Sequence, residues 1–158
     1  MWRAREKGVL FDIGHGVGAF AYRVARAAVE QGFPPDTISS DVHRHNIDGP
    51  CFDQATTLSK LLHVGMELPD IARASTWSPA RAVNRQQSLG SLSPGREADI
   101  TAFELRAGSW ALPDAAGATE VVERLLVPRF VVRRGVVLDI DWPVEGLLAR
   151  WQTAQSII

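Results

Sequence analysis

The sequence predicts an α/β fold, with parallel strands in its first half and antiparallel β structure in its second. Three observations carry that expectation. A short apolar run followed by an amphipathic stretch occurs twice in series, which is the pattern of strand–helix units with parallel strands. After about Gln86 the texture changes to turn residues and short strand patterns. The composition is that of a globular domain, at 158 residues with 46% hydrophobic and 22% charged. A formal net charge of −1 asks for neither nucleic acid nor an anionic membrane as partner. The single cysteine, Cys51, excludes an intrachain disulfide framework. No apolar run approaches the ~20 residues of a membrane span. The run behind the charged N-terminus is too short for a signal-peptide core, so a cytoplasmic location is expected.

Val9 to Ile13 is a short, nearly continuous apolar run, as in a strand buried on both faces. Gly14 to Gly18 reads as a loop. Phe20 to Gln31 reads as a helix, with Phe20, Val24 and Ala28 on one stripe and Gly32 as its stop. Thr37 to Asp41 is a second strand, and a polar loop runs from it to Pro50. Thr56 to Val64 is a second helix, with Leu58, Leu61 and Leu62 on its apolar side. Two short helices follow, one near Pro69 and one over Ala80 to Val83, where Ser78 and Pro79 supply a cap and a first-turn proline. Ala98–Leu105, Val121–Val127, Phe130–Val132 and Val136–Leu138 read as strands, and Leu147–Ile158 as a terminal helix.

The chemistry-bearing residues gather where the two parallel strands end. His15 closes the first strand; Asp41, His43 and His45 close the second. In α/β folds ligands bind at the C-terminal ends of strands. There an Asp can take a proton from water and a His can polarise a carbonyl. Other readings stand beside these. His15 between glycines fits a plain turn histidine. Gly14 to Gly18 fits a phosphate cradle without the full pattern of one. His43 and His45 fit either a metal pair or a solvated loop. His63 reads as a histidine at the rim of the core, Cys51 as a small buried hydrophobe, Lys60 as a surface lysine, and Arg129, Arg133 and Arg134 as a solvated face.

Six stretches, taken in order, resemble the C-terminal part of the amidohydrolase superfamily. GVLFDIGHGVGAF resembles its seventh barrel strand and loop, and GFPPDTISSDVHRHNIDGP its eighth strand with an aspartate. FDQATTLSKLLHVGM resembles the helix that follows, and IARASTWSPARAV its Thr-x-x-Pro-Ala-Arg turn. LGSLSPGREADITAFEL and VPRFVVRRGVVL resemble the entry to the small β domain and its closing hairpin. Together they span about Gly8 to Leu138, and the branch resembled is the amidohydrolase/deacetylase group, related to dihydroorotases and N-acyl-amino-acid deacetylases.

The resemblance implies a C-terminal fragment of a (β/α)8 TIM barrel, its two last β/α units, followed by strands of a small β-sandwich domain. Residues 1–86 would form the partial barrel and residues 87–158 the β-rich domain. It implies hydrolysis of an acyl-amide or acyl-ester bond by hydroxide on a divalent metal, commonly zinc. Asp41 matches the strand-eight aspartate, as metal ligand and proton carrier to the leaving group. His15 is assigned to the substrate carbonyl, while His43, Asn46, Gly49 and Pro50 line the substrate pocket. Asp99 and Arg81 are structural at the junction. The family's His-x-His pair, its strand-four lysine and the histidines of strands five and six have no counterpart here, and no His precedes His15. A hydrolytic zinc wants about three protein ligands, so the isolated chain is expected to bind it poorly. A whole barrel takes about 250 residues, so the chain is expected to be inactive alone and to need the missing barrel part or self-association. Three outcomes follow: a truncated product or fragment, a chain completed by pairing with another chain or with itself, or a partial domain with an exposed apolar inner face. The alternatives are a non-catalytic assembly or binding module, and a small metal-binding protein using Asp41, His43 and His45.

Overall fold

The computed structural model describes residues 1–140 together with Gly146. The expected terminal helix over Leu147–Ile158 lies outside them. The described chain runs α1 (Trp2–Glu6), β1 (Asp12–Gly14), α2 (Tyr22–Glu30), β2 (Thr37–Ser39), α3 (Gln54–His63), α4 (Leu68–Ser75), α5 (Trp77–Ala82), β3 (Ile100–Pro113), β4 (Thr119–Arg133) and β5 (Val136–Leu138). β1 and β2 are parallel, in the register Asp12–Thr37, Ile13–Ile38 and Gly14–Ser39. β3, β4 and β5 form an antiparallel sheet in that order. The α/β class, the parallel pair and the antiparallel second half agree with the sequence expectation. No described helix is long and apolar enough to cross a membrane.

The first strand is the clearest departure. It occupies Asp12–Gly14, and Val9 and Leu10 are about half exposed rather than buried. Side chains alternate across a strand, so Ile13 and Ile38 turn towards the helices while Asp12 and Ser39 share the opposite, open side. Ile38 is buried in the helical cluster and Ile13 packs against it. On the open side the Asp12 carboxylate accepts from the Thr37 hydroxyl at 2.6 Å and from the Ser39 hydroxyl at 2.5 Å. The open face of the strand pair is therefore polar, unlike the exposed apolar face of the partial-domain outcome.

α3 lies at the centre of the molecule. Asp53 caps it, accepting from the Thr56 amide at 2.6 Å. Every residue from Ala55 to Leu62 is buried, as in a helix packed on all sides. Leu58, Leu61 and Leu62 join Tyr22, Ile38 and Ile71 in one cluster, which also takes in Leu126 of β4. A second cluster sets Phe52 against Leu112, Val122, Leu125 and Val127 of the β3–β4 hairpin. Ser59 adds a polar tie, since its hydroxyl donates to Ala55 O at 2.7 Å and accepts from the Leu126 amide at 2.9 Å. Lys60, expected at the surface, is 0% exposed. The helix around it has no solvated side on which a lysine could lie.

Two further boundaries moved. α5 starts at Trp77 after Thr76, so Ser78 lies inside the helix rather than capping it. The expected strands 121–127 and 130–132 are one strand, β4, that runs through Pro128. The pairs Ala102–Phe130 and Phe103–Pro128 leave Arg129 as an extra residue. A bulge of this kind absorbs a residue that cannot donate to the ladder. The remaining expectations for the periphery match: His63 is half-buried on Glu120 at 2.8 Å, and Cys51 is fully buried.

Candidate active site

The C-terminal ends of β1 and β2 bring two loops together, residues 14–21 and 40–53. The Gly16 amide donates to Ser40 O at 3.1 Å, which fixes one loop on the other. Asp41 stands next in the chain, exposed, with φ +51. Aspartate tolerates this left-handed conformation better than most residues. Asn46 braces it: its side-chain amide donates to Asp41 O at 2.9 Å and its carbonyl oxygen accepts from the His43 amide at 2.7 Å. Gly16 approaches so closely that a Cβ there would lie 2.8 Å from Asp41 Oδ2, and its own φ is +54. Only glycine meets both demands.

Among the residues expected to form the site, Asp41 and His43 are exposed and Pro50 is partly so. His15, Asn46 and Gly49 are buried. Asn46 is 0% exposed and spends both polar ends on the loop, so it shapes the loop instead of lining a pocket. His15, also 0% exposed, stacks on Phe20 at 4.9 Å. Its Nδ1 lies 3.1 Å from Gly16 O and its Nε2 2.8 Å from Lys60 Nζ. The ammonium can only donate, so Nε2 is the acceptor and Nδ1 carries the proton. Any added chain would bury the ring further. The expected contact between His15 and a substrate carbonyl is therefore corrected: the ring serves the interior, on the side of β1 away from the open face.

Burial, helped by the Lys60 charge, holds the His15 imidazolium down to about 4 from 6.5. The folded chain thus binds fewer protons than the unfolded chain between these values. The His15 contribution to stability is full above pH 6.5 and falls by about 3 kcal/mol on acidification to pH 4. Denaturant midpoints measured from pH 7 to 4 check this; a flat profile would contradict it.

The metal expected for this chemistry needs about three protein ligands. Among the described residues no three His, Cys, Asp or Glu side chains gather in a way that could hold one. His43 and His45 sit 5.7 Å apart, with His43 Nδ1 accepting from the His45 amide and His45 Nε2 accepting from Arg44. Both rings are thus engaged locally, and the reading as a small metal-binding protein finds no support in this geometry. Asp41 can supply a single carboxylate, and the described residues alone do not fit a catalytic metal. A cavity of about 430 Å³ lies at the other end of β2, lined by Asp36, Thr37, Arg73 and Arg81 among others, and contains none of the expected site residues.

The surroundings of Asp41 acquire meaning by comparison. Residues 21–138 match the Amidohydrolase family. The chain belongs to that family. A deacetylase from Enterococcus faecalis is 37% identical over 139 residues, which cover 87% of this chain and 37% of that protein. A deacetylase from Brucella anthropi is 38% identical over 130 residues, covering 82% of this chain and 32% of that one. Among solved structures, an adenine deaminase superposes with TM-score 0.83 at 36% identity, over 88% of this chain and 38% of its own. A dihydroorotase does so with TM-score 0.76 at 33% identity, over 87% and 37%. This amidohydrolase chain thus spans about a third of the length of the relatives it matches.

Sequence reasoning missed Lys60 and Asp12. A lysine in an amphipathic helix gives no sign of burial. Asp12 is the one charge in the apolar run Val9 to Ile13, and that exception is its signal.

Proposed function

We propose that this chain is the C-terminal portion of a metal-dependent amidohydrolase or deacetylase that cleaves an acyl-amide or acyl-ester bond of a small molecule. The observation that carries the reading is Asp41, exposed at the end of β2, braced by Asn46 and crowded by Gly16, in a chain of this family. In the complete enzyme a divalent metal, zinc first among the expected ions, would activate the attacking water. Asp41 would supply one carboxylate to such a centre, the remaining ligands coming from outside this chain, and its carboxylate is placed to take up and hand on a proton. His43 and Pro50 face the substrate from the loop after β2. Residues 1–86 complete the last two units of a TIM barrel, and residues 87–158 belong to a small β-sandwich.

The open polar face of Asp12, Thr37 and Ser39 supports the view that further strands close over it in the complete enzyme. We expect the isolated chain to purify without stoichiometric zinc and to be inactive. Grafting it in place of the matching segment of the Enterococcus faecalis deacetylase tests the function. Zinc-dependent cleavage of N-acyl substrates by the graft is the expected result. A folded, zinc-loaded but inactive graft would overturn the reading, as would turnover by the isolated chain.

A further inference from the structure

We propose that Lys60 is a positioning residue of the candidate active site: its buried ammonium ties the loops after β1 and β2 to each other and to the β3–β4 hairpin, and so fixes where Asp41 stands. The proposal rests on the reading of Asp41 as an active-site carboxylate.

The geometry is a closed circuit. Lys60 Nζ donates to His15 Nε2 at 2.8 Å and to Pro50 O at 2.6 Å. One residue beyond His15, the Gly16 amide donates to Ser40 O at 3.1 Å. One residue beyond Pro50, the Cys51 thiol donates to the same Ser40 O, also at 3.1 Å. Both arms from Lys60 therefore end on the carbonyl of the residue that precedes Asp41. The third donor goes to Pro113 O at 2.6 Å, at the end of β3.

All three N–H groups of the ammonium are thus used, by acceptors from three separate segments, and none of these is an opposite charge. A compact charge with three rotatable donors suits this task, and guanidinium does not. The rings of Phe20 and Phe52 lie 5.9 and 5.7 Å from Nζ and close the site to water. Burial pushes the ammonium down to about 7, a cost that a purely space-filling side chain would avoid. Asp114 ties the start of α2 to the β3–β4 turn, accepting from the Tyr22 amide at 3.1 Å and from the Ala116 and Ala118 amides at 2.8 Å each.

The chain has two lysines, and Lys7 is exposed, so each measurement carries its own reference. In the full chain, acetylation by an N-hydroxysuccinimide ester should modify Lys60 at least about a hundredfold more slowly than Lys7. In Lys60→Met the Gly16 and Phe52 amides should exchange at least about tenfold faster while the β3–β4 amides hold their rates. The Asp41 carboxyl carbon resonance should shift as well. A merely structural lysine would lower protection throughout and leave no effect confined to these loops.

Lys60 acetylated as fast as Lys7 overturns the proposal. So does a folded Lys60→Met that keeps Gly16 and Phe52 protected. Should that variant fail to fold, the parent decides. The opening of Lys60 read from acetylation must then agree with that of Gly16 and Phe52 read from exchange, and a mismatch beyond about a hundredfold rejects the circuit. None of these readouts needs turnover, so an inactive assembled enzyme counts against the hydrolase reading and not against Lys60.

Discussion

In the assembled enzyme, Asp41→Asn is expected to lower kcat by about a hundred- to ten-thousand-fold, the range for loss of a positioned acid–base group. The substitution keeps the shape of the side chain. Asparagine tolerates the left-handed backbone as aspartate does, so φ +51 brings little new strain. The brace from Asn46 reaches the backbone oxygen of residue 41 and survives the change. What disappears is the capacity to take up and release a proton. Denaturation of the isolated chain should therefore be nearly unchanged while turnover of the graft collapses. His43→Ala, from the exposed part of the same loop, should act mainly on KM. A kcat for Asp41→Asn within about threefold of the parent would remove Asp41 from the chemistry.

The second large effect is on stability. Leu125 is 0% exposed and packs with Leu112, Val122 and Val127 against Phe52. Leu125→Ala removes buried methyl groups and leaves a cavity in the cluster that joins the hairpin to the start of α3. We expect a loss of about 2–5 kcal/mol, read as a lower denaturant midpoint at unchanged slope. Leu92→Ala, at a side chain 76% exposed, should change stability by less than about 0.5 kcal/mol. Similar losses for the two variants would mean that the hairpin does not share a cooperative core with α3.

The sequence carried most of the fold because its signals were local. The stripe of α2, the stop at Gly32, the glycine turn at Gly135 and the shift to antiparallel strands after Gln86 all follow from neighbouring residues. Errors arose where tertiary context overrides the local pattern. Val9 and Leu10 look like a buried strand, yet no described element covers them. Pro128 looks like a strand end, yet a bulge at Arg129 carries β4 past it. Asp53 is a good helix cap that precedes the expected helix start at Thr56 by three residues, and the helix starts there.

The site was legible to the extent that strand ends attract chemistry. Asp41 and its loop are proposed as the site on that ground. The division of labour within the loop was not, because burial decides it. Asn46 and His15 are polar residues whose hydrogen bonds point inward, and nothing in their spacing distinguishes them from residues that face a ligand. Lys60 was hidden for the same reason, since the three acceptors that define its role come from segments up to 53 positions away.

The Asp12 carboxylate, held by Thr37 and Ser39 on the open side of the strand pair, bears on how this chain avoids sticking to the wrong neighbour. A two-stranded sheet offers bare edges on which stray strands can add. A charge on its open face acts instead against an apolar layer packing over that face. An apolar sheet laid over it would strip water from a carboxylate and give no hydrogen bonds in return. A polar lining would accept it. The same residue that interrupts the apolar run thus selects which surfaces can close over the strand pair.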